Sequence, residues 1–234
     1  MTETTTETTT ESKERQVPPF SVRRILVAAA LAMALVLPAL YALDYGHIRS
    51  EPPGRISSGL RRQLKLPRAA QAAFDLSRTT IPKAEILSGG PPVDGIPALS
   101  HPEFVRGDQA NYLQPRDRVI GYVQGEARAY PLKILNYHEI VNDRVGDRQF
   151  AVTYCPLCDS AAAFDRRAIS GRELGVSGLL YNSNVLMYDR GDGGRLWSQL
   201  KAEAISGPDA PQELPALPIE LTTWDDWKSR HPET

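Results

Sequence analysis

A chain of 234 residues with 27 basic and 28 acidic side chains carries a formal net charge of −1, so no overall basic field draws it to nucleic acid. The length allows one domain with a sizeable core plus appendages. Its 19 prolines and 17 glycines fall mostly outside the hydrophobic runs, which suits short strands and turns better than a helical bundle, and 2 cysteines cannot build the disulfide framework of a small secreted fold.

Residues 1–22 open with T-E-T-T-T-E-T-T-T-E and show no hydrophobic period, which predicts a disordered tail. Ile25 to Leu43 then runs for 19 residues without a charge. At about 1.5 Å per residue this nearly matches a bilayer core of about 30 Å, so residues 23–44 are expected to form a transmembrane helix. Pro38 inside the run is tolerated by membrane helices. The leading region is long and partly acidic, no A-x-A cleavage pattern follows, and no cysteine is placed to take a lipid. These features predict a retained signal anchor. Cations flank the run on both sides, so the positive-inside rule leaves its orientation open.

Residues 45–80 form a juxtamembrane segment. Within it, residues 55–66 place Ile56, Leu60 and Leu64 on one helical face with cations between them. That pattern fits a helix lying on anionic headgroups, and equally a solvated helix. From Ile81 the chain becomes dense in Pro and Gly and enters a domain over residues 81–234. Arg118 to Tyr130 predicts a hairpin turning at Gln124-Gly125. Pro131 suits the first turn of a helix that carries Leu132, Ile134 and Leu135 toward Tyr137. Ala161–Phe164, Arg172–Val176, Val185–Tyr188 and Arg195–Ser198 read as short strands, some separated by Gly171, Gly178 and the glycines at 191–194. The expected class is α+β: a β-rich, mainly antiparallel sheet with few short helices, preceded by one transmembrane helix.

Between these pieces lies the stretch that carries the chemistry. Ile140-Val141 and Phe150 to Tyr154 have strand composition, and Asp143 to Arg148 has turn composition. If Asp143 faces Phe150, the antiparallel pairing sum also sets His138 opposite Cys155, whereas a one-residue slip would put Tyr154 there. An imidazole and the two sulfurs of Cys155-Pro156-Leu157-Cys158 would then share one patch.

Four readings of that patch stay open. Two soft thiolates plus His138 suit copper or zinc, with Met187, His101 or Asp159 as a fourth ligand, and this reading leads. Cys155 and Cys158 alone suit a thiol–disulfide oxidoreductase, although Asp159 would oppose a thiolate and no helix is predicted to follow. A structural disulfide across so short a ring contributes only about 2 kcal/mol. A binding or scaffold module, with the Cys pair and His138 merely packed, is the fourth. No haem, nucleotide, H-E-x-x-H, G-x-S-x-G or calcium-loop motif is present. Trp224, Trp227 and His231 stand at helical spacing and read as packing residues.

Five long motifs occur in one order from Ile81 onward: I-L-S-G-G-P-P-V-D-G-I-P-A-L, R-A-Y-P-L-K-I-L-N-Y-H-E-I-V-N-D, V-T-Y-C-P-L-C-D-S-A, G-V-S-G-L-L-Y-N-S-N-V-L-M-Y-D-R and L-W-S-Q-L. Together they resemble the bacterial and archaeal family known as domain of unknown function 3179. The resemblance implies an exported or membrane-anchored domain, with the domain outside the cytoplasm. It supplies no activity. Members commonly carry T-x-S before L-W-S-Q where this chain has Gly193-Gly194-Arg195, and they continue past the W-x-x-W-x-x-x-H-P segment. The family pattern therefore implies that the last strands lie beyond Thr234.

Overall fold

Phe150 to Cys155, the strand leading into the C-P-L-C motif, is buried on both faces, and the sheets are stacked so as to cover it. A computed structural model describes residues 73–191 and 194–234. The predicted tail (1–22), anchor (23–44) and amphipathic segment (55–66) lie outside these residues. Among the described residues no helix is long and apolar enough to cross a membrane. Packing begins ahead of Ile81, at Phe74, which is buried with Ile81, Ile86 and Leu179.

In chain order the elements are β1 (Leu87–Ser88), β2 (Leu99–Ser100), β3 (Arg118–Gln124), β4 (Glu126–Pro131), α1 (Leu132–His138), β5 (Ile140–Val145), β6 (Arg148–Cys155) and β7 (Ser160–Asp165). They continue with β8 (Leu174–Tyr181), β9 (Asn184–Asp189), β10 (Leu196–Ser198), β11 (Glu203–Ala204), β12 (Ala216–Leu217), β13 (Glu220–Thr223) and α2 (Trp224–Arg230). Three sheets result, ordered β1-β8-β9-β10-β11, β12-β7-β6-β5-β2 and β13-β3-β4. Every pairing is antiparallel except β2 with β5. The β-rich, mainly antiparallel class with two short helices is as the sequence predicts.

Side-chain alternation makes β6 a two-faced wall. Ala151 turns toward Val176, Met187 and Trp197 of the first sheet. Phe150, Val152 and Tyr154 turn the other way, onto Ile120, Tyr122 and Tyr130 of the third sheet and Leu135 of α1. A strand covered on both sides reads as a continuous apolar run rather than an alternating one. The helix over the third sheet is α2, whose Trp227 packs on Val119 and Ala127. Gly121 permits that approach, because a Cβ there would lie 2.0 Å from the Trp227 ring. Gly178, expected between strands, instead sits inside β8 at a register shift between Val176 and Leu179, at φ 73°. A Cβ there would meet the Pro91 carbonyl oxygen at 2.1 Å, so the bulge requires glycine.

Candidate functional site

The β5–β6 hairpin adopts the predicted register, with Asp143 opposite Phe150. Its strands reach further than the composition implied, closing at Val145–Arg148 around a two-residue turn with Gly146 at φ 56°. At the other end the ladder stops at Ile140–Thr153. Glu139 has φ 55° and turns the chain out of the strand, although its carbonyl still accepts from Tyr154 N–H at 2.8 Å. Burial pushes the half-buried Glu139 carboxyl above its usual range. His138 is therefore the last residue of α1, and its Nδ1–H donates to the Pro97 carbonyl at 2.8 Å.

The pairing sum that set His138 opposite Cys155 thus ends before reaching it. No hydrogen bond joins this imidazole to either sulfur. Among the described residues no group of three or more His, Cys, Asp or Glu side chains converges to hold a metal ion. Nor do the proposed fourth ligands gather there. Met187 is buried in the core, His101 lies beside Glu173, and Asp159 is held by Arg118 and Tyr154.

Cys155 ends β6 and pairs with Ser160, the first residue of β7, so Pro156 to Asp159 form a four-residue hairpin loop. Asp159 closes the loop at φ 50°, a conformation that Asp tolerates better than most residues. A strand follows Cys158, as the composition of D-S-A-A-A-F implied, so no helix dipole acts on the thiol. The two sulfurs are free and differ in setting: Cys155 is 1% exposed, whereas Cys158 is exposed at the loop.

Donors gather around Cys158. Ser160 Oγ lies 3.1 Å from its sulfur, and Asn184 Nδ2 donates to it at 3.2 Å. Asn184 opens β9 directly after Asn182-Ser183, a two-residue turn with both residues at positive φ. Its Nδ2 also reaches Ser160 Oγ at 3.0 Å and Gln199 Oε1 at 2.7 Å. Gln199 follows β10 and in turn donates to Thr153 Oγ1 of β6 at 2.9 Å. Residues of β7 and β9 thus touch the sulfur directly, and Gln199 after β10 ties them to β6.

Burial pushes the Cys158 thiol up, but the donors on Ser160, Asn184 and Cys155 outweigh it and hold the thiol below its usual value. Burial pushes the Cys155 thiol up as well, and there donating its S–H to Cys158 adds to the rise. Asp159, expected to oppose a thiolate, has its carboxylate held by Arg118 at 2.9 and 3.1 Å and by Tyr154 O–H at 2.8 Å. The pair lowers the Asp159 pKa and offsets its charge. Ser160, Asn184 and Gln199 were not singled out from sequence. They stand in the D-S, N-S-N and L-W-S-Q contexts, and no local pattern announces a hydrogen bond between residues 15 to 39 positions apart.

A cavity of about 620 Å³ lies elsewhere, walled by Phe104, Tyr112, Tyr130, Leu135, Val141 and Trp224, and touches neither cysteine. Its half-buried cation, Arg128, is already engaged by Asp143 and Glu126. The sulfurs, and not this cavity, bring reactive groups together.

Residues 93–234 match the family described as protein of unknown function (DUF3179). The chain belongs to that family. The match covers more than half the chain and includes Cys155, Cys158, Ser160, Asn184 and Gln199, while the Ile81–Pro92 part of the resemblance lies ahead of it. Neither the curated proteins nor the solved structures contain a match to the chain.

Proposed function

We propose that the domain is a thiol–disulfide oxidoreductase held outside the cytoplasm by an anchor at residues 23–44, with Cys158 as nucleophile and Cys155 as the resolving thiol. One observation carries this reading: in one four-residue hairpin loop an exposed sulfur contacted by Ser160 and Asn184 follows a buried free thiol at the loop's start. Thiolate character and access are what make a cysteine reactive. In the exchange, the Cys158 thiolate attacks one sulfur of a substrate disulfide. An S–S bond to Cys158 forms, and the other substrate sulfur leaves as a thiolate. That thiolate, or solvent, takes the Cys155 proton, and Cys155 attacks Cys158 to release the second substrate thiolate. The substrate gains two electrons from the domain, one proton that began on Cys155 and a second from solvent, and the domain is left with a Cys155–Cys158 disulfide that an external dithiol reduces.

A second reading rests on the same adjacency, because two neighbouring soft thiolates select Cu(I), and zinc is the alternative metal. A test separates the two. The purified full chain is equilibrated with thiol–disulfide buffers of graded potential, quenched with an alkylating reagent, weighed and assayed for bound metal. A reversible loss of both free thiols together, with no stoichiometric metal, is expected. Thiols that stay reduced at every potential, or copper or zinc held one per chain after dialysis, would end the oxidoreductase reading.

Topology has its own check. A reporter active only outside the cytoplasm, fused after Thr234, is expected to be active. Activity of a cytoplasmic reporter at that position would overturn the placement.

A further inference from the structure

Asn184 is 3% exposed, and its buried Oδ1 has no hydrogen-bond partner. An unsatisfied buried acceptor is destabilising, so packing alone does not account for an amide here. What the amide supplies is its N–H groups. Two protons on Nδ2 face three acceptors: Cys158 Sγ, Ser160 Oγ and Gln199 Oε1. The Ser160 hydroxyl meets the same shortage. Its one proton lies between Gln199 Oε1 at 2.7 Å and Cys158 Sγ at 3.1 Å.

Gln199 cannot turn to relieve the competition. Its Nε2 donates to Thr153 Oγ1, whose own hydroxyl donates to the Ala162 carbonyl, so Oε1 must face Ser160 and Asn184 as an acceptor. Two proton arrangements follow. With Cys158 protonated, its S–H donates to Ser160 Oγ and the Ser160 hydroxyl donates to Gln199 Oε1. With Cys158 ionised, the Ser160 hydroxyl turns to the sulfur, one Asn184 N–H joins it, and Gln199 keeps the other Asn184 N–H.

We propose that Ser160, Asn184 and Gln199 form a proton-sharing switch for Cys158, in which Ser160 and Asn184 favour the thiolate and Gln199 favours the thiol. All three are positioning residues. The inference rests on Cys158 acting as a thiolate. The titratable and charged groups about it are Cys155 on β6 and Asp159 in the loop with its partners Arg118 and Tyr154. That ion pair is closed within itself, which leaves the switch and Cys155 to set the charge on Cys158.

The test is the pH profile of Cys158 alkylation in the full chain, followed by mass spectrometry, with folding checked by circular dichroism. Ser160→Ala and Asn184→Asp are each expected to move the midpoint up by about one pH unit, a tenfold loss of thiolate at fixed pH below it. Ser160→Thr keeps the hydroxyl and is expected to stay near the parent. Gln199→Met removes the competing acceptor and is expected to move the midpoint down. A general loosening of the site would move every variant the same way, so the opposite sign is the signature. If Asn184→Asp does not fold, Ser160→Ala against Gln199→Met carries the same contrast. A low parent midpoint with no movement, or with all variants moving together, overturns the switch alone. A parent midpoint at or above that of an ordinary thiol overturns the thiolate reading beneath it.

Discussion

At neutral pH an alkylating reagent is expected to modify Cys158 about 100-fold or more faster than Cys155. Two independent causes act in the same direction. Cys158 is exposed and Cys155 is not, so access favours the former. Donors hold the Cys158 thiol below its usual value while burial lifts Cys155 above it, and each pH unit of separation is tenfold in thiolate. The sign of the pH dependence follows. The rapid phase should already be present below the pH at which an ordinary thiol ionises, and should fall away as pH drops through the Cys158 midpoint. Cys158→Ser should remove the rapid phase. Cys155→Ser should keep it and accumulate a mixed disulfide with a peptide disulfide, because nothing remains to resolve it. Equal rates for the two thiols, or Cys155 reacting first, would remove the division of labour on which the oxidoreductase reading stands.

In the proposed exchange the second cysteine of the motif attacks, and its electrostatics come from side chains and not from a helix N-terminus. That difference explains what could be read from the sequence and what could not. Local patterns are legible. The β5–β6 register followed from strand composition and the turn at Gly146, and Pro131 and the two tryptophans marked the two helices. For His138 the pairing sum carries no weight beyond Ile140–Thr153, because it assumes that the strand continues and Glu139 at positive φ turns the chain out of it. Asp159 looked hostile to a thiolate because its partner Arg118 is 41 positions away. Asn184 and Gln199 were invisible for the same reason. Their roles exist only once the first and middle sheets stack, which brings β9 and the end of β10 against β6.

Asp143→Ala is expected to cost the domain about 3–5 kcal/mol, a large fraction of the roughly 5–15 kcal/mol available to a typical fold. Asp143 is 4% exposed and pins β5 to the third sheet. Its carboxylate accepts from Arg128 at 2.8 Å, from Tyr130 O–H at 2.6 Å and from its neighbour Arg144 N–H at 2.7 Å. Removing it leaves a buried phenol without its acceptor and a guanidinium, only 17% exposed, with one carboxylate fewer. For a domain of this size the loss corresponds to a fall in melting temperature of about 6–20 °C. Replacing the group together, as Arg128→Met, Tyr130→Phe and Asp143→Leu, should recover most of it, because the penalty lies in the orphaned partners and not in a net gain from the charges. The site should survive either change wherever the chain still folds. Cys155 lies five residues along β6 from the Phe150 that faces Asp143, about 17 Å at strand rise, and effects at that separation are nearly additive. Calorimetry on the single and triple variants, with the Cys158 alkylation midpoint read on the same samples, measures both halves. A loss below about 1 kcal/mol would show that the Arg128 charge reaches water unaided. A moved midpoint in a folded variant would mean that the hairpin transmits strain from Asp143 to the C-P-L-C loop.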